Sequence, residues 1–422
     1  RFSTIKMKVF KFGGASVKDP EGVRNVATIL HSFPQQPLII VISAMGKTTN
    51  ALEKILSLSR AGSPFDKEME TMKEYHFRIM RDLFQEGHRV WKDVGDVLKN
   101  LEVQLKKNRP ADQAYDQVVS QGELISTLIV HRYLTDQQIN IGWVDARDYI
   151  VTNSYYREAK IDWKSTTEKI STLQGILENN RMILTQGFIG RTPEGFTTTL
   201  GRDGSDFSAA IFASCMNAES VTIWKDVPGV MNADPKKVPE AATVFPELPF
   251  REAAEMTYYG ASVIHPKTIK PLANRGIPLY VKSFDNPALA GTKIHECKID
   301  HLPPLIVFKE NQCLVSCKVT DYTFVTEDQM STIFNTLAEL SLRINVMQNS
   351  AISFSFCVDF REEKISALIK RLHEHFEIYY NSGLTLITIK NYDETTFNRY
   401  HTMKGVLLEQ LSRSTLQVLV RL

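Results

Sequence analysis

Four short polar clusters in this chain combine glycines, cations and carboxylates in ways that suit an anion and an amine. The first is Lys11-Phe12-Gly13-Gly14, with a lysine just ahead of two glycines. Paired glycines let backbone amides approach an anion closely, and the ammonium adds a charge-assisted donor. The usual nucleotide loop, G-x-x-x-x-G-K-[ST], has its lysine after the glycines. The second cluster, Ser43 to Asn50, holds Gly46-Lys47-Thr48, but Val41 stands where that loop needs its first glycine. Thr49 sits beside the start of a helix, where anions are welcome, and Asn50 with Glu53 reads as an N-cap with its reciprocal partner. The third, Ser120 to Thr127, places Glu123 on an otherwise apolar helix face. In the fourth, Leu200 to Ala210, Gly201 and Gly204 flank Arg202, whose planar fork suits a carboxylate or phosphate. Asp206 there can bind an ammonium, orient Lys11 or cap the helix. The set suits a kinase acting on a small amino acid by positioning and charge neutralisation. Two later segments add to it. Lys225, Asp226 and Lys236 lie in turns able to wrap a base and ribose, and Lys267 offers a further cation for phosphates. His265, just before it, reads as structural.

These groups act together only if strand ends and helix starts converge. Met7–Phe12 reads as a strand, Asp19 as a helix cap, and Pro20 as a first helical residue. Val23, Val26, Ala27 and Leu30 share one face of the helix that follows. A second strand, PLIIVISA, precedes the second cluster, and residues 66–138 read as helical. Strands RMILTQGFIG and FTTTL, helix DFSAAIFASCMN and strand ESVTIWKDV follow. This alternation predicts a three-layer α/β/α domain with a largely parallel sheet and ligands at the carboxyl ends of its strands. Pro303-Pro304 marks a boundary. Beyond it a β-α-β-β-α-β order predicts ferredoxin-like α+β structure. A second copy looks abbreviated, because little between Tyr392 and Lys404 reads as a full amphipathic helix. The expected domains are residues 7–300 and 305–422.

A chain of 422 residues with 43% hydrophobic and 23% charged residues is ordinary for globular domains. A formal charge of +2 argues against a nucleic-acid surface or an electrostatic membrane anchor. No apolar run approaches a membrane span. The five scattered cysteines lack metal-ligand spacing and fit a reducing, cytoplasmic setting.

The segments KFGGASV, SAMGKTTNAL, SQGELIST, GRDGSDFSAA, WKDVPGVMNADP, EMTYYGASVIHPKTIKP and NPALAGTKI occur in the order seen in aspartate kinases. From Lys8 to about Ile294 the chain resembles that family, and its tail is similar to the family's ACT domains. The resemblance implies the amino-acid kinase fold and ATP-dependent phosphorylation of the side-chain carboxylate of L-aspartate, at the head of lysine, threonine and methionine biosynthesis. It implies that Lys11, Phe12, Gly13 and Gly14 form the nucleotide-phosphate motif, with Lys11 and Asp206 catalytic. Thr49, Glu123 and Arg202 match substrate positions; Lys225, Asp226, Met231, Lys236 and Lys267 match positions around the nucleotide. Mg²⁺ would bridge phosphate oxygens with few dedicated protein ligands. The chain departs from the common pattern at Lys225, Met231 and Lys236, often threonine, tyrosine and arginine, and at Asp203, often glycine.

The length predicts a monofunctional member without a homoserine dehydrogenase half. The tail is expected to form a homodimer and to bind an amino-acid effector, lysine or threonine, near Asn349 and Ser350. The alternatives are a same-fold kinase of another amino acid, such as glutamate, and a non-catalytic amino-acid sensor. Loss of Lys11, Glu123 or Arg202 would favour the sensor, and all three are present.

Overall fold

The computed structural model describes residues 6–34, 36–261, 264–320 and 323–422. The chain opens with β1 (Lys8–Phe12), α1 (Pro20–His31), β2 (Leu38–Ile42) and α2 (Thr48–Arg60). Three long helices follow: α3 (Asp66–Leu83), α4 (Val90–Lys106) and α5 (Ala111–Asp136). Next come β3 (Ile141–Trp143), α6 (Trp163–Ser171), α7 (Leu173–Asn180), β4 (Met182–Gln186), β5 (Ile189–Arg191) and β6 (Thr197–Thr199). Then α8 (Gly204–Met216), β7 (Ser220–Lys225), β8 (Glu247–Pro249), α9 (Phe250–Tyr258), α10 (Pro266–Ala273), β9 (Leu279–Ser283) and β10 (Thr292–His295) complete the series.

Eight of these strands form one sheet in the order β3-β4-β2-β1-β7-β9-β10-β8. Neighbours run parallel except β9 and β10. Every residue of β2, Leu-Ile-Ile-Val-Ile, is buried, as a strand covered on both faces requires. β1, Lys-Val-Phe-Lys-Phe, is buried from Val9 to Phe12, and Lys11 is the charged residue within that buried stretch. Alternation puts Phe10 and Phe12 in the core shared with Val23, Val26 and Leu30 of α1. Lys11 faces the other way, toward α8. The register pairs Lys11 with Val41 and Ile223, so β1, β2 and β7 end side by side.

Local signals hold well in α1. Asp19 Oδ1 accepts a hydrogen bond from the Gly22 amide at 2.8 Å, and Pro20 takes the first helical position. The expected cap at Asn50 is not formed. Helix α2 begins at Thr48, so Asn50 lies inside its first turn, and Glu53 instead accepts from the Tyr115 hydroxyl at 2.6 Å.

A second compact unit comprises residues 231–243, 255–263 and 299–422. It contains β11 (Leu305–Lys318), α11 (Glu327–Glu339), β12 (Ile344–Asn349), β13 (Ser353–Asp359), α12 (Glu362–Leu372) and β14 (Glu377–Lys390). α13 (Glu394–His401), β15 (Val406–Leu411) and β16 (Thr415–Val420) end it. Its six strands form an antiparallel sheet in the order β12-β13-β11-β14-β16-β15. β11 and β14, 14 residues each, run through both halves of this sheet, with register shifts between Lys309 and Leu314. One half packs Val315 and Cys317 against Ile333 of α11 and Leu368 of α12. In the other half, the short α13 contributes Tyr400, and the remaining cover over Ile306, Ile387 and Val418 includes Ala233 and Val238. The helix that looked abbreviated is therefore supplemented by a segment from far earlier in the chain. Among the described residues, no helix is long and apolar enough to cross a membrane.

Candidate active site

Lys11 and Asp206 meet at the carboxyl end of β1. The Lys11 ammonium lies 2.7 Å from Asp206 Oδ1, and both side chains are almost fully buried. Asp206 is in the first turn of α8 but does not cap it; the N-cap position belongs to Asp203. Of the roles open to Asp206, holding Lys11 is the one this geometry contains. Burial would raise the Asp206 carboxyl, but Lys11, Lys225 and Lys267 together hold it below the ordinary aspartate value. Burial pushes the Lys225 ammonium down, with Asp206 opposing. Lys267 is lowered by burial as well; its Nζ donates to the Leu200 carbonyl at 2.8 Å. Three ammoniums around one carboxylate leave a positive, partly dehydrated centre, which favours polyanions.

Above this centre opens a cavity of about 1050 Å³, large enough for a small molecule and part of a second. Lys11, Gly14, Thr49, Glu123, Arg202 and Asp206 all line it. Gly14 is needed for close approach, since a Cβ there would sit 2.6 Å from the Ala44 carbonyl oxygen. Glu123 is buried in the middle of α5, and its Oε2 has no hydrogen-bond partner. Burial pushes its carboxyl up to about 8, against the opposing effects of the Ala44 amide and Lys11. A buried carboxyl group with one unpaired oxygen facing a cavity is what an incoming ammonium satisfies. Arg202 is the opposite case, with its side chain 81% exposed. Asp203, beside it, has φ 54, which explains why glycine suits this position and why aspartate is tolerated.

The sequence reading missed one wall of the cavity, made by Tyr155, Tyr156, Arg157 and Glu158. Asp116, fully buried in α5, fastens it. Its carboxylate accepts from the Arg157 amide at 3.0 Å, and from the Thr199 amide at 2.8 Å and hydroxyl at 2.7 Å. Burial raises this carboxyl to about 6 in spite of those bonds. Asp116→Asn would turn an amide NH₂ toward groups that are themselves donors. The expected result is a loss of about 2 kcal/mol in stability and a raised KM for the amino-acid substrate, with kcat less affected. Unchanged melting and KM would show that Asp116 does not set this wall.

The other expected residues are spread more widely. Phe12 stacks on Trp224 in the core, at 5.9 Å and 4° between ring planes, so its backbone alone can reach a nucleotide. Gly13 is the residue before the 3-10 turn Gly14–Val17. Asp226 is exposed and lines a separate cavity of about 570 Å³ beside the start of α1. Met231 and Lys236 belong to the second unit; the Lys236 amide donates to Asp234 Oδ1 at 2.9 Å. His265 caps α10 by accepting from the Lys267 amide. Asn349 ends β12 on the exposed edge of the second sheet. The Ser350 hydroxyl lies 2.8 Å from that of Ser353 in the turn that follows.

A sequence profile described as the amino acid kinase family matches residues 6–283. The chain belongs to the amino acid kinase family. Within that family it groups with the aspartokinases. It is 32% identical to lysine-sensitive aspartokinase 3 of Escherichia coli (strain K12) over 83% of this chain and 78% of that one. Aspartokinase 2, chloroplastic, of Arabidopsis thaliana is 31% identical over 87% of this chain and 69% of its own. Bifunctional aspartokinase/homoserine dehydrogenases of plants also match, but the chain spans only about 42% of their length. The crystal structure of E. coli aspartokinase III with aspartate and ADP (R-state) superposes with a TM-score of 0.82, at 27% identity, over 98% of this chain and 96% of that one. This likeness spans both the parallel-sheet and the antiparallel α+β parts of the amino acid kinase chain described above.

Proposed function

We propose that this chain transfers the γ-phosphoryl group of ATP to the side-chain carboxylate of L-aspartate, giving 4-phospho-L-aspartate, the first step toward lysine, threonine and methionine. The observation that carries this reading is the unpaired Glu123 oxygen in a cavity that also holds Arg202 and, at its inner end, Lys11. Aspartate has three charges to match. Its ammonium would meet Glu123, its α-carboxylate would meet Arg202 near Thr49, and its side-chain carboxylate would point toward Lys11. That carboxylate is already ionised at neutral pH and attacks without a general base. A bond forms between its oxygen and the γ-phosphorus, the bridging β–γ bond breaks, and ADP leaves. Lys11, Lys225 and Lys267 offset the charge that moves, and Asp206 keeps Lys11 in place.

The donor set accommodates Mg²⁺ only as an ion carried by the nucleotide. The Asp206 carboxylate is already engaged by lysines, so phosphate oxygens and water would supply most ligands. When bound, the ion would neutralise phosphate charge. A coupled assay of ADP formation with aspartate, with glutamate and without an acceptor tests the reading. Equal rates in all three would remove aspartate as the substrate.

Arg202→Lys is expected to raise the aspartate KM roughly tenfold with little change for ATP, because a lysine cannot copy two-point recognition of a carboxylate. An equal loss for both substrates would move Arg202 to the nucleotide.

Residues 7–300 would form the catalytic region and residues 305–422 a tandem ACT-type region that pairs two chains. The support is the edge strand β12, where Met347 and nearby Ile352 are half exposed beside Asn349 and Ser350. E. coli aspartokinase III, superposing at a TM-score of 0.81, has been crystallised with lysine and aspartate in a T-state. Lysine or threonine would bind this chain near Asn349 and Ser350. By linkage, an inhibitor there and aspartate must weaken each other by the same factor. Titrating both amino acids while measuring activity and sedimentation is expected to show a dimer inhibited by one of them. A dimer indifferent to both would leave this region a clamp. The five free cysteines suit a reducing, cytoplasmic setting.

A further inference from the structure

At the outer edge of the first sheet, away from the residues that line the cavity, β8 pairs in parallel with β10. Thr292 and Ile294 of β10 are buried, whereas Lys293 and His295 are partly exposed on the opposite face. Cys297, two residues further on, keeps the same parity and is also half-buried. Glu247 opens β8 and stands opposite Lys293. His295 Nε2 lies 2.9 Å from Glu247 Oε2. With Cys297 Sγ they form the one group of three metal-ligating side chains among the described residues, their donor atoms all within 4.8 Å of one another.

We propose that Glu247, His295 and Cys297 bind a divalent transition-metal ion of the zinc class. A tetrahedral zinc with bonds of about 2.0–2.3 Å needs its donors about 3.3–3.8 Å apart. His295 and Glu247 stand 2.9 Å apart and all three donors lie within 4.8 Å of one another, so closing them on an ion would require small side-chain rotations. One sulfur, one nitrogen and one oxygen select a borderline-soft ion over Mg²⁺, which prefers oxygen ligands alone. Water would complete the coordination, because all three side chains reach solvent. The ion would take the Cys297 sulfur as thiolate and release its proton. The ion would tie the short edge strand β8 to the chain leaving β10, closing the exposed end of the sheet.

Cobalt(II) titrated into the metal-free full chain tests this, because cobalt bound to a thiolate has a near-ultraviolet charge-transfer band. The expected result is such a band, saturating at one ion per chain and displaced by zinc. Cys297→Ser should abolish it. His295→Ala and Glu247→Gln should weaken binding by more than about tenfold. Zinc should raise the melting temperature of the wild type but not of Cys297→Ser. None of these residues lines the cavity, so activity with Mg²⁺ and ATP but without zinc or cobalt should be unchanged in all three variants. Absence of the band overturns the proposal, and so does its persistence in Cys297→Ser, which would assign the thiolate to another cysteine. Cobalt held only by the phosphate site has no thiolate ligand and gives no band, so it counts as absence.

Discussion

Lys11→Met should lower ATP-dependent turnover by more than about a hundredfold, the usual loss when a preorganised charge is removed from a transition state. The methionine fills nearly the same volume at the end of β1, so the core around Phe10 and Phe12 stays packed. Asp206 keeps Lys225 and Lys267 as compensating charges, which limits the damage to folding. The loss should therefore appear in kcat, with the aspartate KM changed far less, since Glu123 and Arg202 are untouched. A folded variant retaining a tenth of wild-type turnover would show that Lys11 does not face the transferring phosphoryl group.

Glu123→Gln should reduce kcat/KM for aspartate by between about thirtyfold and several thousandfold, the range for breaking a desolvated charge pair. Its pH signature is more specific than its size. In the empty protein Glu123 holds its proton up to about pH 8, whereas an ordinary glutamate loses it near 4.5. An ammonium binds the carboxylate form, so aspartate must displace that proton below pH 8. The aspartate KM should fall as pH rises toward 8, by at most tenfold per unit, and then level off. The glutamine variant should lack this slope. The same shift affects folding. A carboxyl raised from 4.5 to about 8 contributes stability that is complete below 4.5 and lost as pH rises to 8. Empty wild-type protein should lose stability over that window relative to Glu123→Gln, and aspartate should restore it. Identical pH profiles in the two proteins would mean that Glu123 does not meet the substrate amine.

The legible features were those set by near neighbours in the chain. The Asp19 cap, the all-apolar β2 and the polar clusters at strand ends follow from a few adjacent residues, and the structure gathers Lys11, Thr49, Glu123, Arg202 and Asp206 around one cavity. The Asn50 cap failed because N-cap position depends on where the backbone first turns helical, and here the N-cap falls on Lys47, three residues earlier. Asp116 was missed although it shares α5 with Glu123. Its role lies in bonds to Arg157 and Thr199, dozens of residues away, which no local period encodes. The wall that it fastens includes Arg157 at φ 68, and Phe188 at φ 72 also lines the cavity. Neither residue type announces a left-handed backbone.

The packing of Ala233 and Val238 with Ile306, Ile387 and Val418 has a practical consequence for anyone dissecting the chain. A fragment beginning at residue 305 would leave that stretch of apolar sheet bare, and a fragment ending at residue 300 would carry the orphaned cover. Neither piece is a clean module that a protease or a cloning site could release. Genetic exchange of the tail between relatives faces the same obstacle: a transplanted residue 305–422 region must find an acceptable 231–243 segment in its new host. The two stretches should therefore be inherited, and engineered, as a pair.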